Sequence, residues 1–180
     1  MIPLGCLPKH VAAPPDWLGM PRLTAIHAVA GCVSRNAVDL DPQWRHNGWW
    51  FFDTPKLAMQ AAADAGADPA GLTLFYCEAF ERQYDGDAAR WSDCAAAPAA
   101  VEPPREAAMS GYDIVCFMDE AGPPGCSPLS CNGLAAGAEV NEYCLFPTLD
   151  QARAALEAGL FRNAEPGPYR ILSVSVVPKA

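Results

Sequence analysis

The sequence predicts an α+β fold built from two tandem half-units, each running strand, loop, strand, helix, strand. A pseudo-twofold relates them within one compact domain. Three observations carry this reading. First, residues 31–62 can be laid on residues 125–156 at a constant shift of 94 positions, which carries Asn47 onto Asn141, Gly31 onto Gly125 and Cys32 onto Cys126. The same shift pairs Phe52 with Phe146 and Thr54 with Thr148, and sets Trp49 on Tyr143 and Phe51 on Leu145. Second, each half holds one alanine-rich stretch at helical spacing opened by a threonine. Third, short apolar runs bounded by Gly and Pro flank those stretches, as strands do.

Taken in order, the first segment is a Pro-rich arm, residues 1–22, irregular from Leu7 to Arg22 and packed down through Trp17. The first half-unit, residues 23–94, opens with a short strand over Leu23–Val29. Ser34–Asn47 is polar and broken by Pro42, so it reads as a loop. Trp49–Phe52 reads as a short strand in which one alternating pair is buried. Thr54-Pro55 starts a helix, because threonine can cap free amides and proline at the first helical position sacrifices no hydrogen bond. Leu57, Ala58, Ala61, Ala62 and Ala65 supply its apolar face, and Gly66 a left-handed exit. Leu72–Cys77 is the next strand.

Residues 95–108 are rich in Ala and Pro and read as a linker. In the second half-unit, residues 109–180, Tyr112–Met118 is a strand and 123–141 a long loop, and Tyr143–Phe146 is a strand. Thr148 opens a helix with Gln151 in capping-box position, its apolar face Leu149, Ala152, Ala155 and Leu156, and Gly159 ends it. In the final strand, Tyr169–Val177, Leu172, Val174 and Val176 share one face and Ser173 and Ser175 the other. One helix per half cannot cover both faces of a three-stranded unit, so each half needs its sister.

Composition narrows the function. Twelve basic against 21 acidic residues give a net charge of −9. That argues against nucleic acid, whose phosphates need a basic patch, and suits a basic protein partner. No apolar run reaches membrane-spanning length, and eight cysteines in 180 residues fall short of a disulfide scaffold. The expectation is a cytoplasmic protein with reduced thiols, monomeric or homodimeric, off the membrane.

Two loops are the expected contact patches. One holds Trp44, Arg45, His46 and Trp49, the aromatic and basic types that dominate interface energetics. The other holds Cys126, Ser130 and Asn132, with Asn132-Gly133 as a tight turn. No cofactor is required. Zinc enters only through Cys126, Cys131 and Cys144, with a fourth ligand from His46, His27 or Cys116; the alternative is that these cysteines are small buried hydrophobes. Cys131 beside Ser130 and Asn132 is a weak nucleophile candidate, lacking a neighbouring base. His27 and Glu78 are the candidate acid/base pair, against a packed histidine and a solvated strand end.

Phosphate loops, dinucleotide fingerprints and hydrolase or zinc-protease signatures are missing. The leading expectation is a non-enzymatic protein-binding module, of an immunity or inhibitor type, acting on a basic partner. Phe52–Ala58 and Phe146–Ala152 resemble the strand, threonine and alanine-helix stretch of ADP-ribosyltransferase folds. That resemblance implies ribose contact by His27 and stabilisation of an oxocarbenium-like centre by Glu78. A small-molecule binder at the interface of the half-units is the third reading.

Overall fold

The computed structural model describes residues 1–39, 49–94, 101, 103–117 and 122–179. Its strands are β1 (Ile2–His10), β2 (Arg35–Asn36), β3 (Thr73–Asp85), β4 (Arg90–Asp93), β5 (Ala108–Phe117), β6 (Pro124–Cys126) and β7 (Tyr169–Val177). The α-helices are α1 (Pro55–Asp64), α2 (Pro128–Cys131) and α3 (Leu149–Glu157). The strands form one antiparallel sheet in the order β2-β1-β3-β7-β5-β6, with β4 hairpinned onto β3. The sheet is curled into a half-barrel. Register shifts at Pro3/Gly5, Ala79/Gln83 and Met109/Gly111 interrupt its main ladders, and such bulges bend strands and increase twist.

Both longer helices form for the reasons their sequences suggest. Thr54 Oγ1 accepts the Leu57 amide at 3.2 Å, and Pro55 occupies the first turn. Thr148 Oγ1 accepts the Gln151 amide at 3.2 Å and meets Gln151 Oε1 at 2.9 Å. Ala58 and Ala62 of α1, and Ala152 and Leu156 of α3, are buried, whereas Leu57 is exposed. Gly66 and Gly159 leave the helices in the left-handed conformation, which glycine adopts without a Cβ penalty.

The period-two alternation of the strands separates two faces. Leu74 and Tyr76 of β3 pack with Ala58 and Ala62 under α1, while Ile171 and Tyr169 of β7 pack with Ala152 and Leu156 under α3. The strand register puts these residues on the same side of the sheet. The opposite face carries Leu7, Phe75, Cys77, Val115, Phe117, Leu172 and Val174, and is covered by chain from Val29, Trp49, Phe51 and Leu145 rather than by a helix. Helices therefore cover one side of the sheet and irregular segments the other.

Several expected elements differ. The N-terminal segment is not irregular from Leu7; it forms β1, and the arm begins after His10. On its outer side β1 meets only β2, at Lys9 and His10, and the Phe52 bridge at Cys6 among the described residues, so it is an edge strand, where prolines such as Pro3 and Pro8 are tolerated. Trp17 is not packed down, for its side chain is 60% exposed; the buried Leu18 anchors the arm instead. Leu23–Val29 makes only an isolated bridge, Ile26 to Ala12. Trp49–Phe52 and Tyr143–Phe146 are likewise reduced to the bridges Phe52–Cys6 and Phe146–Tyr112. Trp50 and Cys144 adopt positive φ angles of 66° and 65°, which breaks extended geometry in the middle of each run. Burial in those runs still alternates: Trp49 and Phe51 enter one core and Phe52 the other.

Candidate functional site

The face without helices buries ionisable groups that an apolar core would exclude. Lys9, on β1, is 0% exposed, and its Nζ donates to the carbonyls of Val29 at 2.6 Å and Ala30 at 2.9 Å. Asp113, on β5, is 1% exposed; its Oδ2 accepts the Val29 amide at 2.8 Å and the Ser127 hydroxyl at 2.6 Å. Ser127 Oγ in turn accepts the Ala30 amide at 3.1 Å. The Val29–Ala30 backbone is thus gripped by three buried side chains instead of a strand ladder, which is why this stretch is extended without being a strand. Burial pushes Asp113 up to about 6, against the hydrogen bonds from Ser127 and Val29 and the Lys9 charge. Burial also pulls Lys9 down to about 8.

This clamp fixes the approach of two loops. Val29–Ala30 leads directly to Cys32, and Ser127 lies between Cys126 and the helical turn α2, where its carbonyl accepts the amides of Ser130 and Cys131. The outcome is a cluster in which the sulfurs of Cys32, Cys126 and Cys131 all lie within 4.8 Å of one another. Cys126 Sγ is also 3.3 Å from Asn132 Oδ1, and Asn132 Nδ2 donates to Glu165 at 3.1 Å. Cys116, the β5 partner of Cys126, accepts the Cys126 amide at 3.1 Å through its sulfur. Hydrogen bonds from the Cys126 and Cys131 thiols hold Cys32 below the ordinary thiol range, while Cys126, which supplies such bonds, is pushed up. Cys32 is the exposed member of the cluster, at its rim.

Beside the clamp, Arg170 of β7 is buried with its guanidinium carbon 4.2 Å from the Phe117 ring centre and 4.5 Å from that of Trp49. Its Nε donates to Gln83 at 3.1 Å. Cation–π contact and hydrogen bonding offset the loss of hydration. A polar cleft of about 520 Å³ opens at the end of β3, lined among others by Gln83, Asp85, Arg90, Arg162 and Glu165.

The sequence candidates distribute unevenly. Of the three candidate thiols, Cys126 and Cys131 come together, but Cys144 is not in the cluster; it is buried elsewhere, its thiol pushed up to about 12 by desolvation. The third sulfur is Cys32, whose signal was its pairing with Cys126 at the 94-residue shift. His27 stacks on Tyr143 at 4.3 Å and bonds Ser110 Oγ through Nδ1 at 3.1 Å, so it is a packed histidine. His27 also contacts Phe75, on the face of β3 opposite to Tyr76, which bonds Glu78. The sheet separates His27 from Glu78, and the arrangement does not bring them together. Trp49, Ser130 and Cys126 are buried rather than presented to a partner, and Asn132 is exposed. Trp44, Arg45 and His46 lie outside the described residues. Lys9, Asp113 and Arg170 gave no sequence signal, because each is an isolated charge in an otherwise ordinary strand pattern.

Comparison with family models, with curated proteins and with solved structures returns no match to this chain. No helix among the described residues is long and apolar enough to cross a membrane.

Proposed function

We propose that the protein is a non-catalytic binding module, of inhibitor or immunity type, that engages a basic protein partner through its Trp17 arm and the adjoining Asn132-Gly133 turn. The observation that carries this reading is Trp17, 60% exposed on a turn closed by hydrogen bonds from the Leu18 amide to Pro15 and from the Gly19 amide to Asp16. Pro14, Pro15 and Pro21 restrict the arm, Leu18 anchors it in the core, and Gly19 turns it in the left-handed conformation. A Cβ placed on Gly133 would stand 3.5 Å from the Trp17 ring, so arm and turn form one continuous surface. An exposed indole held in place in advance is the residue type on which interface energy concentrates. Asp16, Glu139 and Glu142 are exposed on the arm and on the segment it touches, where Thr24 bonds the Glu142 carbonyl and Arg22 that of Ala138. With a net charge of −9, the surface favours a cationic partner.

The test is affinity capture from the native host with the wild-type chain and Trp17→Ala as paired baits. A basic protein retained by the wild type, lost with the variant and released by moderate salt is expected. Identical captured sets from both baits would overturn the proposal.

We further infer that two half-units, the first opening with β1 and not with Leu23–Val29, descend from a duplicated unit. Thr54 and Thr148 cap equivalent helices, and Trp50 and Cys144 share a positive φ at the same shift of 94 positions. Gly5 and Gly111 each meet the carbonyl of the corresponding phenylalanine, Phe52 or Phe146. The pairs β1–β3 and β5–β7 flank the central β3–β7 ladder in the same sense, as a pseudo-twofold between β3 and β7 requires.

A further inference from the structure

We propose that Cys32, Cys126 and Cys131 are the three thiolate ligands of a site for a thiophilic divalent cation of the zinc class, with its fourth position open toward solvent on the Cys32 side. Tetrahedral zinc binds sulfur at about 2.3 Å, which sets neighbouring sulfurs about 3.8 Å apart. Three sulfurs mutually within 4.8 Å reach that spacing by small side-chain adjustments. The donors are soft, which selects zinc over calcium or magnesium.

Preorganisation is the second argument. Cys32 comes from one half of the chain, Cys126 and Cys131 from the other, and a single buried carboxylate positions both loops. Asp113 holds the Val29 amide on one side and the Ser127 hydroxyl on the other, and Ser127 closes the ring onto Ala30. The Lys9 ammonium, bonded to Val29 and Ala30, places a positive charge behind the Cys32 loop, which offsets part of the net negative charge of a three-thiolate site. Cys116 stands behind Cys126, its sulfur occupied by the Cys126 amide, and completes the surroundings without joining the three.

The experiment uses the full chain, reduced and stripped of metal, titrated with cobalt(II) and then with zinc(II) against a chromophoric chelator. One equivalent of cobalt with a sulfur-to-metal charge-transfer band, displaced by one equivalent of zinc, is expected. Cys32→Ser should weaken binding by more than the roughly 10–100-fold typical of outer-shell changes, and should retain the wild-type circular dichroism because Cys32 is exposed. Cys94→Ser and Cys116→Ser should keep both the band and the affinity. The proposal is overturned by absence of saturable binding, by undiminished affinity in Cys32→Ser, or by loss of the band in Cys116→Ser. Thiol alkylation and mass analysis of the freshly isolated chain that revealed a disulfide within the triad would overturn it as well.

Discussion

Acidification should destabilise the protein through His27, and the size follows from its surroundings. Burial between Tyr143 and Phe75 strips water from the imidazolium and lowers the ring's pKa from 6.5 to about 4, with Glu142 compensating only in part. Between those values the unfolded chain binds a proton that the native state does not. Stability therefore rises with pH across this window and is lost as pH falls. At 1.36 kcal/mol per pH unit, the gap between 6.5 and 4 amounts to about 3 kcal/mol. Asp113 acts in the opposite sense. Its pKa is raised from 3.8 to about 6, so the native state is the one holding the extra proton, and acidification through this range favours folding by about 3 kcal/mol. The two contributions oppose each other in the wild type. His27→Gln, which keeps a polar group beside Ser110, removes one of them. Urea denaturation at pH 7, 6, 5 and 4 should show the variant less stable at pH 7, because stacking is lost. On reaching pH 4 the variant should gain on the wild type by about 3 kcal/mol. Parallel stability curves for the two proteins would refute the assignment of His27 as a neutral, buried ring.

Two further outcomes follow from the backbone and the clamp. Gly5→Ala and Gly111→Ala should each cost about 2–4 kcal/mol in urea denaturation, since both glycines have positive φ and an added Cβ would lie 2.3 Å from the Phe52 carbonyl oxygen or 2.8 Å from that of Phe146; Gly71→Ala, with open space around it, is the control. Lys9→Met and Asp113→Asn should each destabilise by about 3 kcal/mol, and a double-mutant cycle should return a coupling of at least about 1 kcal/mol, because both side chains hold Val29, one through its carbonyl and the other through its amide; strictly additive losses would show that they act separately.

Sequence alone determined the two capped helices, the strand β7, the centre of β5 and the first part of β3, and the positions of their apolar residues; it did not mark the continuation of β3 through Glu78 to Asp85 or the hairpin to β4. Those features rest on interactions a few residues apart: a threonine and the amide three positions on, a glycine at a helix exit, an alternation of two. It also marked the Cys126–Asn132 loop and paired Cys32 with Cys126. Only the tertiary structure decided that Ile2–His10 is a strand, because its prolines are admissible on the outer side of an edge strand, and the strand order is not written locally. The burial of Trp49 was decided in the same way, since the ring meets Arg170 and Phe117 from distant strands. The thiol cluster, too, needed the fold, because its sulfurs come from segments held together by Lys9, Asp113 and Ser127. Contacts between residues a hundred positions apart leave no period in a sequence, and a buried charge is recognisable only once its partners surround it.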